Sequence, residues 1–272
     1  MVIQYVGIAG SSQDGIKAVV RLIQGGAHIP QVKIVTRERR HALLLFTDYG
    51  DLIAVKAGFS SGYGGEGPRA LSFVLAVLQA HGAAIEEIEV PADLLSRLDD
   101  AGLTSADLAM VEVAGHVKPS RWREYISDSD LGRARSGELW RGFAPVIPYA
   151  ILDPRLMDLA LSFWSDPDAC LSKGYRRLED IVRRRTGLSE SSTKLFNRAF
   201  DADKGVLAWK APDTAERTGR AQLFVAVYMA FRNPRAHREH VKADHLTELL
   251  MLNSLFRLEA EAVERPKDLQ VS

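Results

Sequence analysis

The sequence predicts an α/β N-terminal domain, a mixed sheet with helices, followed by an all-α helical bundle. Three observations carry this. Over residues 1–145, short runs rich in Val, Ile and Leu alternate with helix-length segments that have start signals of their own. Over 150–272, the apolar positions recur at helical spacing throughout. Between them, Pro119, Pro145, Pro148 and Pro154 with Gly132, Gly137 and Gly142 read as an irregular connector holding at most a short helix. The domain boundary is therefore expected between Arg141 and Pro154.

The elements follow in order. Val2 to Ile8 reads as a strand, and Ser11 or Ser12 caps a helix that Gly25-Gly26 ends near Gln24. Val32–Val35, Ala42–Phe46 and Leu52–Ala57 read as strands, the last two joined by the turn Asp48-Tyr49-Gly50-Asp51. A glycine-rich loop leads into a helix at Pro68, Ile85–Val90 is a further strand, Pro91 opens a helix and Thr104 caps another. In the second half Leu156–Trp164 shows an apolar face. Asp166-Pro167 opens a long helix that Thr186-Gly187 closes, and Ser192–Phe200 is short and helical. Thr214 or Ala215 starts a helix running toward Arg232. Asn233 is expected to cap, and Pro234 to begin, a new helix whose continuation from His245 to Glu264 is leucine-rich.

Composition narrows the function classes. The chain is 46% hydrophobic and 26% charged, a globular balance, and no apolar run approaches the ~18 residues a membrane-spanning helix requires. The opening MVIQYVGIAGSS lacks the basic start and long apolar core of a signal peptide. One cysteine, Cys170, excludes an intramolecular disulfide framework and suits a reducing cytoplasm. The 35 basic residues are balanced by 35 acidic ones, so there is no global positive field of the kind non-specific nucleic-acid binders show. Any RNA must be held locally, and Arg183-Arg184-Arg185 with Arg232 and Arg235 are the candidate cluster.

The segment with the most chemistry is Arg232-Asn233-Pro234-Arg235-Ala236-His237. Arginine offers a planar, permanently charged fork for phosphate, and histidine titrates closest to neutrality. The segment lies between the apolar run Val225–Phe231 and a second long apolar helix, so it sits between two bundle helices. A capped helix start accounts for Asn-Pro with no chemistry at all, and the residues alone leave that reading open. His240 and His245 follow, but no further cluster completes a metal site, so no metal or cofactor is expected. His28, His41, His81 and His116 are scattered and read as surface or capping residues.

On these residues the helical half resembles the HEPN (higher eukaryotes and prokaryotes nucleotide-binding) domain, whose hallmark is Arg, four to six residues, then His, with a polar residue after the Arg. It is most similar to the prokaryotic group of hypothetical Ymh-type proteins. The segments that carry the resemblance are Leu178-Glu179, Ala199-Phe200, Thr218-Gly219-Arg220, the turn at 232–237 and Leu249 to Leu258, within residues 170–264. The resemblance implies a HEPN-like helical bundle over 150–272 and a metal-independent endoribonuclease acting as a homodimer or higher oligomer, with two such motifs facing one cleft. It further implies attack of a ribose 2′-hydroxyl on the adjacent phosphate, with His237 moving a proton, Arg232 stabilising charge and Asn233 orienting one of them or the substrate. Arg235, Arg183 and Arg184 would help hold RNA. A setting in phage defence or a toxin system comes from the resemblance alone, and so does the alternative of a non-catalytic RNA- or nucleotide-binding module.

The resemblance does not reach the first 150 residues. There Gly58 to Arg69 follows a strand and opens a helix, with a sequence that is neither a P-loop nor a dinucleotide fingerprint. Gly62, Gly64, Gly65 and Gly67 let backbone amides approach an anion, Tyr63 offers a stacking face and Arg69 a phosphate contact. The functional reading is a pocket for a nucleotide-like activator, or a surface for a protein partner, in a domain that senses or recruits. A loop that merely needs tight turns is the other reading.

Overall fold

The structure is a computed structural model, and it describes residues 2–265 apart from 49, 119, 202, 212 and 234–243. The chain divides into two compact units, Met1–Val146 and Ile147–Ser272.

The first unit is a mixed α/β sheet domain. Its strands are β1 (Ile3–Val6), β2 (Gln31–Arg37), β3 (Arg40–Phe46), β4 (Leu52–Ser60) and β5 (Ala84–Glu89), in the spatial order β1-β4-β3-β2-β5. The β2–β3 and β3–β4 pairs are antiparallel; β1 runs parallel to β4, and β5 parallel to β2. The near-continuous apolar runs of β2, β3 and β4 reflect helices covering both faces of the sheet. Val32, Ile34, Leu43, Leu45, Ile53 and Val55 face α1 (Ser12–Gln24) and α2 (Glu66–Ala80). Their alternates Val35, Ala42, Leu44 and Ala54 face α3 (Ala92–Asp99) and α4 (Ser105–Val113). That period-two split is the pleat at work.

Local chemistry sets the helix ends. The Ser11 hydroxyl accepts from the Asp14 amide to cap α1, and Thr104 forms a reciprocal capping box with Asp107 at α4. Pairing of β3 with β4 is interrupted between His41 and Leu43, opposite Gly58. A Cβ at Gly58 would lie 2.4 Å from the Ser11 carbonyl oxygen, so only glycine lets β4 pass the start of α1.

The expected connector over 119–154 is instead mostly packed structure of the first unit. A 3-10 turn (Arg121–Tyr125), α5 (Asp128–Arg135) and a second 3-10 turn (Glu138–Gly142) follow one another. Trp122, Tyr125 and Ile126 join the core beneath α2, while Ala134 and Leu139 cover Ala76 and Val77. Proline and glycine spacing hid this, because the segment's few apolar anchors sit in elements too short to show a period.

The second unit is helical. After a 3-10 turn (Pro154–Leu156) come α6 (Met157–Leu161), α7 (Pro167–Thr186), α8 (Ser192–Ala199), α9 (Thr214–Val227) and α10 (His245–Glu261). Asp166 caps α7 through the Ala169 amide, and Gly187 closes it at φ +70°. The core joins Tyr175, Leu178 and Val182 to Leu195, Phe196, Phe224, Leu252 and Phe256. At Gly174 a Cβ would fall 2.5 Å from the Leu252 side chain, so α7 and α10 cross closely there. The unit is not purely helical: β6 (Leu207–Ala208) pairs antiparallel with β7 (Val263–Glu264). Two-residue strands carry no sequence period, and this ladder forms where the end of α10 meets the loop after α8. Among the described residues no helix is long and apolar enough to cross a membrane.

Candidate functional site

The site is built from the end of α9 and the middle of α7. After Val227 the α-helix widens into a π-helical turn, Tyr228–Arg232. Such turns are rare and recur at functional sites, because one inserted residue re-aims the side chains that follow. Asn233 has φ −67° and ψ −46°, so it continues the helix and is not the extended N-cap that Asn-Pro suggests. The π-turn explains the difference: the helix absorbs the end of the apolar run without breaking.

Arg232 emerges from this turn with its side chain 32% exposed and its Nη2 3.7 Å from Glu179 Oε1. Glu179 is buried on α7, at an inward position beside Leu178 and Val182. Its other oxygen, Oε2, accepts from Arg183 Nη2 at 2.7 Å. Oε1 accepts no hydrogen bond among the described residues. A buried carboxylate oxygen left without a donor is costly, and its presence calls for an explanation. Asn233 lies alongside, its Oδ1 3.5 Å from Arg232 Nη1 and 3.4 Å from the Ser192 hydroxyl. Ser192 adopts φ +54°, a strained value for a residue other than glycine. Beneath the turn, the buried Tyr228 hydroxyl donates to the Tyr175 carbonyl at 2.8 Å. Burial, and then the nearby Glu179 charge, push the Tyr228 hydroxyl well above its usual range, so it stays a neutral donor.

Electrostatically, among the described residues the guanidinium groups of Arg232 and Arg183 face the carboxylates of Glu179 and Asp180, so the charges balance and Arg232 is the cation held least closely. The arrangement can hold an anion: among the described residues Arg232 meets Glu179 at 3.7 Å and Asn233 at 3.5 Å, contacts too long to hold it tightly, and Asn233 and Ser192 add polar groups within reach.

Pro234, Arg235 and His237 lie outside the described residues, as does His240. Of the arginine run on α7, Arg183 is already engaged with Glu179, Asp180 and the Glu190 carbonyl. Arg185 clamps Glu259 and the Ala262 carbonyl. Arg184 is exposed, its Nε on the Asp180 carbonyl. Glu179 as a partner of the motif arginine, together with Ser192, is what the sequence reading did not single out. A carboxylate on the apolar face of α7, four residues before Arg183, was the available signal.

In the first unit the glycine-rich loop closes on itself. Gly62 takes φ +81° with the Arg39 side chain above it. Gly65 makes room for the Tyr63 ring, and a Cβ at Gly67 would lie 2.0 Å from Ser60 Oγ. The Tyr63 hydroxyl bonds Ser60 at 2.7 Å, folding a 53% exposed ring back over the loop. These contacts account for three glycines through packing and turn geometry, whereas Gly64 has open space around its Cα. Arg69 is exposed on the first turn of α2, which starts at Glu66, with Pro68 as its third residue.

Next to the loop His41, expected to be a surface or capping residue, is fully buried on a strand. It sits on β3 between the hydroxyls of Thr36, 2.9 Å from Nδ1, and Ser61, 2.8 Å from Nε2. Thr36 also donates to Glu87, which Arg121 and Tyr125 bind in turn. These polar partners make the burial tolerable. Burial lowers the His41 pKa to about 4, so the ring is neutral at neutral pH. Among the described residues no three His, Cys, Asp or Glu side chains cluster so as to hold a metal ion.

Comparison with known proteins adds the following. No curated protein matches the chain. Among solved structures, a chain of the respiratory complex I from Thermus thermophilus aligns at 24% identity over 44% of this chain and 98% of that one. Its TM-score is 0.36, too low to support a conclusion about fold or function. Residues 157–258, which contain α7, Glu179, Arg232 and Asn233, match the model of a family described as a protein of unknown function (Hypoth_ymh).

Proposed function

We propose that the helical unit is a HEPN-type, metal-independent endoribonuclease with its centre at Arg232, Asn233 and His237. The observation that carries the reading is the half-satisfied pair of Glu179 and Arg232. A buried carboxylate with one oxygen unbonded among the described residues holds a partly exposed guanidinium at 3.7 Å, beside a π-turn and an asparagine.

In the proposed reaction His237 accepts the proton of a ribose 2′-hydroxyl as its oxygen attacks the adjacent phosphorus. The bond from phosphorus to the 5′-oxygen breaks, and that oxygen leaves with a proton. The products are a 2′,3′-cyclic phosphate and a 5′-hydroxyl, so substrates lacking the 2′-hydroxyl are inert. Arg232 binds the non-bridging oxygens as charge builds on them. Glu179, fixed by Arg183, positions Arg232, and Asn233 orients it or the substrate. Two copies would place two motifs across one cleft, in a cytoplasmic effector of phage defence or a toxin system under control of the first unit.

The test is incubation of the full chain with RNA in chelator and mapping of the new ends. Cleavage with 2′,3′-cyclic ends is expected, falling about 10²–10³-fold in Arg232→Ala and about 10²–10⁴-fold in His237→Ala. Intact RNA that the protein nonetheless binds would replace this reading with that of a non-catalytic binding module.

A further inference from the structure

We propose that the exposed face of α7 is a track for the sugar–phosphate backbone of single-stranded RNA, leading to Arg232. The choice of RNA as its occupant rests on the ribonuclease reading.

Lys173, Arg176, Arg177, Asp180, Arg183 and Arg184 line one open groove along this helix. At three or four residues per step they form a single face, and from Lys173 to Arg184 it runs roughly 16 Å. Five of the six side chains are cationic and one is acidic. That excess stands out in a chain whose basic and acidic residues balance.

The cations of the groove divide by their partners. Arg177 is held by Asp158, and Arg183 by Glu179 and Asp180. Lys173, Arg176 and Arg184 are exposed, and among the described residues none of them forms an ion pair. The Nε atoms of Arg176 and Arg184 donate to the carbonyls of Ser172 and Asp180. Those bonds lay the two guanidinium groups along the helix, and among the described residues their outer donors have no partner. Unpaired guanidinium and ammonium groups in a row, on a rigid element, complement a polyanion that carries regularly spaced charge.

Arg183 joins this face to the candidate site. It lines the groove on one side and, on the other, binds Glu179, whose second oxygen faces Arg232. A strand lying on α7 is thereby led to the arginine that would hold the scissile phosphate.

The test measures affinity of the full chain for a fluorescent 12-nucleotide, uncleavable 2′-O-methyl RNA across a salt series in chelator. It compares the wild type with the combined variant Lys173→Glu, Arg176→Glu, Arg184→Glu. A charge-matched control, Lys17→Glu, Lys118→Glu, Arg135→Glu, changes the first unit instead. Single-stranded binding loses about 0.7 logarithmic units per decade of salt for each phosphate neutralised. Removing three contacts therefore flattens the slope by about 2 and weakens binding more than tenfold at low salt. The control stays within a few-fold of wild type. Should charge reversal disturb the helix, Lys173→Gln, Arg176→Gln, Arg184→Gln gives the same flattening with a smaller loss of affinity. A slope unchanged in both α7 variants would overturn the proposal, and so would tighter binding of poly-glutamate than of RNA. Cleavage is read separately on natural RNA: cleavage with an unaltered slope removes the track and leaves the ribonuclease, while a flattened slope with intact RNA does the reverse.

Discussion

Glu87 in the sheet domain and Glu179 in the helical unit are both buried glutamates, and their surroundings differ in one respect. Glu87 accepts from Thr36, from the Tyr125 hydroxyl and from Arg121, so both of its oxygens have donors. Among the described residues Glu179 is bonded through Oε2 alone, and its second oxygen faces an arginine too far away to donate. Glu259, in the same bundle, resembles Glu87: Arg155 and Arg185 hold one oxygen each. A closed set of hydrogen bonds around a buried charge fixes a structure. An open one, at the surface end of a helix, leaves a cation free to meet a ligand.

Three substitutions test that contrast. The largest effect on folding is expected from Arg121→Ala, which takes the only formal positive charge bonded to Glu87 among the described residues. Stability of the first unit should fall by about 3 kcal/mol, read from urea unfolding. A loss below about 1 kcal/mol would show that Glu87 does not depend on its cation. Next comes His41. Its folded pKa of about 4 lies below the ordinary 6.5, so between those values the unfolded chain takes up a proton that the folded chain does not. The contribution is fully present above pH 6.5 and is lost as pH falls toward 4, by up to about 3 kcal/mol. His41→Gln should show a shallower decline between pH 7 and 4.5, and an equal decline would remove His41 as the cause. The smallest effect on stability is expected at Arg232→Ala, within about 1 kcal/mol, because its partner Glu179 keeps Arg183. A larger loss would make Arg232 a structural clamp like Arg185 and weaken the catalytic reading.

Particular residues show why some features were legible in sequence and others were not. Ser11, Thr104, Asp166 and Gly187 act where the sequence placed them, because capping depends only on neighbours within a few residues. Trp122 and Leu139 read as part of a connector because their partners on α2, Ala70 to Leu78, lie far back in the chain. Asn233 was misread for a related reason: Asn-Pro is a strong local start signal, and the π-turn overrides it. His41 is the same case again, a histidine whose burial depends on hydroxyls from β2 and from the end of β4.

By itself the sequence determined the order and kind of the main elements, the division into a sheet unit and a helical unit, and the arginine and asparagine at the end of α9. Those follow from periodicity and from bonds between near neighbours. Only the tertiary structure decided that Glu179 faces Arg232, that Arg183 and Arg185 pair with carboxylates while Arg184, among the described residues, does not, and that three glycines of the loop serve its own packing. Each of these depends on which side chains meet across distant segments. Burial then sets the cost of leaving a charge unpaired, and no local pattern records that cost.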